Sequence, residues 1–99
     1  MFRYNSSMNT KTTMVLKSLA DDMRLSIVRK LAQDNCEESG STIVSDCAAF
    51  LQLSQPTMSH HFNRLVQSGV LIERKSGTEK FYQLDRELLT TIGIDPTKL

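Results

Sequence analysis

No apolar run in this 99-residue sequence exceeds a few residues, well short of the roughly 20 that a membrane-spanning helix needs. The first thirteen residues hold no apolar stretch of the kind that drives secretion, so the chain is expected to stay in the cytoplasm, with no membrane partner. Cysteine is scarce: Cys36 and Cys47 allow at most one bridge, which excludes a disulfide scaffold, and a cytosolic setting keeps both as thiols. No glycine-rich phosphate loop, HExxH helix, paired carboxylates or nucleophile motif occurs. An enzyme is not expected, and neither is a cofactor. Internal repeats and low-complexity segments are also missing. The most telling absence is local: between Asp46 and Glu73 there is neither aspartate nor glutamate, a run of twenty-six residues.

What is present fits one small soluble domain. Hydrophobic residues make up 39% and charged residues 23% of the chain, with a mean hydropathy of −0.28, which is ordinary for a globular protein and leaves disorder to the ends. The net charge is only +1, too small for binding a polyanion by bulk attraction, but its distribution is uneven. Met1 to Ala20 carries three basic and no acidic residues, Asp21 to Leu53 three against six, and Ser54 to Arg86 five against three. Two copies presenting their basic faces together would add their phosphate contacts.

The acid-free run contains LSQPTMSHHFNRLVQSG, Leu53 to Gly69. Ser54 is a preferred N-cap residue, Pro56 stands in the first turn where no intrahelical amide bond is lost, and Gly69 follows the last periodic residue. The spacing predicts a helix from Gln55 to Ser68. At about 100° per residue, Met58, Phe62, Leu65 and Val66 share one face, leaving Pro56, Thr57, His60, Asn63, Arg64 and Gln67 on the other. A face of amides, hydroxyls, imidazole and guanidinium without carboxylates suits hydrogen bonding to base edges and phosphates.

Around this helix the chain reads as a flexible arm, Met1 to Asn9, then a domain from 10 to 95. Helix one is expected from Thr10 to Leu19. A second helix, capped by Asp21 or Asp22, runs to about Gln33, with Leu25, Val28, Leu31 and Ala32 inward and Arg24, Arg29 and Lys30 exposed. Asn35 to Thr42 reads as a polar loop, and Ser45 as the cap of a short third helix filled by Ala48, Ala49, Phe50 and Leu51. A short helix, a turn and a capped longer helix make a helix-turn-helix. After Gly69, VLIERK and KFYQL flank a glycine turn and predict a hairpin. Beside the long helix it forms a wing, with Arg74, Lys75 and Lys80 within reach of a nucleic-acid backbone. The tail holds Leu88, Leu89, Ile92 and Ile94 before Pro96. With helix one it offers a dimer surface: Val15, Leu16, Leu19, Leu88, Leu89 and Ile92. The fold class is mainly α with a small β-hairpin.

This order of elements, with LADDMRLSIVRKL, SQPTMSHH, SGVL and the wing ending FYQL, resembles the ArsR/SmtB family of winged helix-turn-helix repressors over about Val15 to Leu84. The resemblance implies a homodimer joined through its first and last helices and bound to an inverted-repeat operator of double-stranded DNA. By motif position it implies Gln55, Thr57, Ser59, His60 and His61 as DNA-facing residues, with Ser54, Arg74, Lys75 and Lys80 on the backbone. Arg64 joins them from the helical geometry. Many relatives sense metals through cysteines at the start of the third helix or through histidines on the last helix. Here Ile43 and Ser45 stand at the cysteine positions and the tail has no histidine or cysteine, so no metal site of those kinds is expected.

Other readings of single residues are blander. Cys47 fits as a small buried hydrophobe, and Cys36 as a loop thiol. His60 and His61 are adjacent on a helix and point about 100° apart, a poor arrangement for sharing one ion; His60 suits a base or phosphate contact, and His61 has as its alternative a hydrogen bond within the fold near the turn. Two alternatives to a DNA-binding repressor stand beside it: a winged-helix module that docks another protein, and a thiol-responsive repressor using Cys36 and Cys47. The operator and any small-molecule inducer are not readable from these residues.

Overall fold

A computed structural model describes residues 6–34, 37–44 and 55–99. Helix α1 spans Ser6–Leu19 and α2 spans Asp22–Asp34. Strand β1 is Glu38–Ser39, and residues 40–44 are helical, here α3. Helix α4 is Gln55–Ser68, followed by β2, Leu71–Ser76, and β3, Glu79–Leu84. Helix α5, Arg86–Thr91, and a 3-10 turn, Pro96–Lys98, complete the chain. No helix among the described residues is long and apolar enough to cross a membrane.

The caps explain most boundaries. Asp21 Oδ1 accepts from the amides of Met23 and Arg24 at 2.9 and 3.1 Å, so Asp21 and not Asp22 starts α2. Helix α4 ends in a Schellman motif: the Val70 amide donates to the Leu65 carbonyl and the Gly69 amide to the Val66 carbonyl, both at 3.0 Å, with Gly69 at φ +89°. The same pair of bonds closes α5, from Ile94 to Leu89 at 2.8 Å and from Gly93 to Thr90 at 3.0 Å, with Gly93 at φ +88°. In both motifs the apolar residue beyond the glycine turns back onto the core.

The sheet is antiparallel in the order β1-β3-β2. Across the hairpin Leu71 faces Leu84, Glu73 faces Tyr82 and Lys75 faces Lys80, and Gly77 turns the tip at φ +62°. Strand β1 adds Glu38 against Tyr82 and Ser39 against Phe81. The core is assembled from every layer: Val15, Ile27, Val28, Ile43, Met58, Leu65, Val70 and Leu89 are each fully buried.

Several expectations are corrected. Helix α1 begins at Ser6 rather than Thr10, so Ser6 to Asn9 are helix and not arm; Met1 to Asn5 lie outside the described residues. The inward face of α2 is led by Met23 and Ile27, while Leu25 is only partly buried and Arg24 is not a solvent-facing residue. The expected loop from Asn35 to Thr42 contains β1 and the start of α3, because Ser39 Oγ accepts from the Thr42 amide at 3.3 Å and so caps a helix ahead of Ser45. Ser45 to Leu51, Cys36 and Cys47 lie outside the described residues. In the tail, Pro96 is buried, and Ile94 and Leu99 pack on their own core. Arg29 Nε donates to the Leu99 carbonyl at 2.6 Å, fastening the tail to α2.

Candidate nucleic-acid interface

Helix α4 has the bounds that its cap and glycine predict, and its two faces separate as the periodicity requires. Met58, Phe62 and Leu65 are buried, whereas Pro56, Ser59, His60, Asn63, Arg64 and Gln67 are exposed, and none of these six is acidic. Thr57 is half-buried. Gln55 opens the helix; its side chain and Ser54 lie outside the described residues.

The wing stands beside this face. Phe62 of α4 and Tyr82 of β3 stack at 4.5 Å between ring centroids and 8° between planes, an offset-parallel contact that adds to the burial of both rings. A cleft of about 390 Å³ opens between α3, α4 and the hairpin, with Ser41, Ser59, Thr78 and Lys80 among its walls. Helix and wing residues that are distant in sequence thus border one surface.

The wing cations are not equally free. Arg74 is held by Glu37 in a two-pronged pair, Nε to Oε2 at 3.1 Å and Nη2 to Oε1 at 2.5 Å, and its guanidinium lies over the Phe81 ring at 5.2 Å. The hydrogen bonds from Arg74 hold the Glu37 carboxyl below its ordinary range and raise Arg74 in turn. Lys80 has Glu73 at 3.8 Å. Lys75 projects from the exposed strand edge.

His61 is corrected from the DNA-facing set. Only 8% of it is exposed, and its Nδ1 lies 3.1 Å from Nη1 of Arg24. The intended dimer residues divide as well. Val15, Leu19 and Leu89 are buried in the chain's own core, Leu88 and Ile92 are partly buried against it, and only Leu16 is exposed, at 52%. On α1 it is joined by Met14, at 41%. Apolar character alone could not separate Val15 from Leu16, because the inward direction of α1 is fixed by where α4 lies. Lys17 was not anticipated; with Arg64 and Gln67 it lines a cleft of about 260 Å³ between α1 and α4. Ile43, at one of the positions where relatives place a metal-binding cysteine, is fully buried, and no cluster of metal-ligating side chains occurs among the described residues.

Comparison with known proteins identifies the lineage of this arrangement. The family model described as bacterial regulatory protein, arsR family, matches residues 21–73. The arsenical resistance operon repressor of Staphylococcus xylosus is 37% identical over 79 residues, covering 80% of this chain and 70% of that protein. HlyU from Vibrio cholerae has the same fold, with a TM-score of 0.71 and 27% identity over 89% of each chain. A homodimeric winged helix-turn-helix DNA-binding domain from Mycobacterium bovis superposes with a TM-score of 0.72 at 23% identity, over 91% of this chain and 80% of that one. The chain belongs to the arsR family of bacterial regulatory proteins, non-enzymatic winged-helix regulators of transcription that bind DNA.

Proposed function

We propose that this protein is a cytoplasmic, homodimeric repressor that binds an inverted-repeat operator, with α4 in the major groove and the β2–β3 wing on the flanking backbone. The observation that carries the reading is the exposed, carboxylate-free face of α4, Ser59, His60, Asn63, Arg64 and Gln67, set beside the wing cations Lys75 and Lys80. Ser59 and His60 reach base edges or phosphates from the first half of the helix, and Arg64 and the wing residues supply phosphate contacts. Two copies joined through the exposed apolar side of α1, Met14 and Leu16, carry two such faces.

Selection of bound fragments from sheared genomic DNA by the purified protein tests this. A shared inverted repeat is expected, bound with an affinity that falls steeply with salt. Arg64→Ala and His60→Ala are expected to lower affinity for that repeat about tenfold or more, and more than for random DNA. No enriched repeat would move the reading to a module that docks another protein. Repeating the selection with and without reductant, and with zinc, reveals whether thiols or a metal supply the signal.

A further inference from the structure

Arg24 leaves α2 and joins three helices at one point. Its Nε donates to the Ser18 carbonyl at the end of α1, 2.5 Å away, and its Nη1 meets Nδ1 of His61 on α4 at 3.1 Å. Ser18 is itself tied to α4, since Ser68 Oγ donates to Ser18 Oγ at 2.9 Å. A guanidinium has five N–H donors and no acceptor. For the 3.1 Å contact to be a hydrogen bond, Nδ1 of His61 must therefore be the acceptor, bare of hydrogen, and the ring neutral with its proton on Nε2.

We propose that Arg24 is a positioning residue for DNA recognition: it holds α4 in place through an unprotonated His61 Nδ1, and a proton arriving on that nitrogen releases the recognition helix and weakens operator binding. This rests on the reading of α4 as the DNA-facing helix. The proton comes from solvent, converts Nδ1 from acceptor to donor, and leaves two cations facing each other where one hydrogen bond stood. An alternative acceptor, Asp21 Oδ1, stands 3.8 Å away and already accepts from two amides of α2. Asp21 at the α1–α2 junction, Arg24 from α2 and His60 on α4 are the charged or titratable groups that act on the ring. Burial holds the His61 pKa below the ordinary histidine value; Asp21 opposes this, while Arg24 and His60 add to it.

The test is operator affinity against pH, read by fluorescence anisotropy on a labelled duplex that the protein itself selects from a random pool at about pH 8. Affinity is expected to fall about tenfold towards about pH 5.5, while far-UV circular dichroism stays native. His61→Asn, whose Oδ1 replaces Nδ1 as an acceptor that cannot be protonated, is expected to give a flat profile. His60→Gln is expected to retain the acid loss. Arg24→Gln, which lacks the Nη that meets His61, is expected to lower affinity already at about pH 8 and to flatten the profile; Asp21→Asn, which keeps the cap, moves the midpoint lower. Independently of DNA, ¹⁵N shifts of His61 at about pH 8 are expected to show the Nε2–H tautomer. An Nδ1–H tautomer, an acid loss that vanishes in His60→Gln or persists in Arg24→Gln, or a midpoint that does not move in Asp21→Asn would overturn the inference. Failure to recover any duplex at about pH 8 would overturn the DNA-binding reading beneath it.

Discussion

Lys75 and Lys80 face each other across the two strands of the wing. Like charges in directly opposed positions destabilise a hairpin, and among the described residues only Lys80 of the two has a carboxylate near it, Glu73 at 3.8 Å. A pairing that costs stability in the free protein is repaid when phosphate lies between or beside the two ammonium groups. Lys75→Glu is therefore expected to stabilise the hairpin by about 0.2–1 kcal/mol while lowering operator affinity roughly tenfold and flattening its salt dependence by about one unit of slope. Denaturant unfolding and a salt titration of DNA binding measure the two opposed effects.

Glu37 occupies the guanidinium of Arg74 with both oxygens, the same geometry that a phosphate would use. Glu37→Gln leaves the side chain its size but removes the charge that competes with DNA. The variant is expected to bind operator a few-fold more tightly, with a salt slope steeper by about one. Adding Arg74→Gln to it should erase the gain; if the gain survives, Arg74 is not the residue released.

Val15 and Leu16 are neighbours with opposite fates, one fully buried in the core and the other 52% exposed. Leu16→Glu is expected to leave a cooperatively folding chain that sediments as a monomer, with the dimer weakened at least tenfold, about 1.4 kcal/mol. Val15→Glu places an unpaired charge in the core and should prevent folding. A Leu16→Glu protein that remains dimeric would move the seam away from α1.

Stability towards acid should be lost in two stages. The His61 pKa is lowered in the fold, so its contribution is complete above the unfolded histidine value of about 6.5 and is lost as pH falls from there through the folded value. For Asp21, burial raises the pKa, but the amides of Arg24 and Met23 and the charges of His61 and Arg24 outweigh it and the net shift is downward. Its contribution is complete above about 3.9 and disappears below. Urea midpoints recorded against pH should show both stages, and His61→Asn should remove only the upper one.

The long helix and the wing were legible because their signals are local. Ser54, Pro56 and Gly69 bracket α4, and alternating β-prone residues around Gly77 specify the hairpin. The parts that escaped are set by distant partners. Strand β1 has two residues and exists because β3 offers its edge; nothing in Glu38 and Ser39 alone asks for a strand. Ser6 to Asn9 hold a single apolar residue, Met8, too few for periodicity to announce the first turns of α1. His61 read as a DNA-facing residue of the motif with an internal hydrogen bond as its alternative, but its partner, Arg24, lies thirty-seven positions earlier and was not legible. The tail looked unpartnered because the groove beside α2 that receives Pro96 and Leu99 is made only when the helices assemble. Arg86, donating to the Leu31 and Ala32 carbonyls at 3.2 and 2.9 Å, helps to build that groove by closing the end of α2.

The stack of Phe62 on Tyr82 has a mechanical meaning for the way a half-site is gripped. A β-carbon at Gly40 would come within 3.1 Å of the Tyr82 ring edge, so the start of α3 bears on the same ring whose face carries α4, and the ring itself belongs to the hairpin. Three elements meet at one aromatic side chain, which couples the helix to the wing. On the proposed DNA-binding reading they are the two jaws of a caliper. A duplex that does not match the gauge of those jaws has to bend or change groove width to fit, and the energy of that deformation enters the choice of sequence at base pairs the protein never touches.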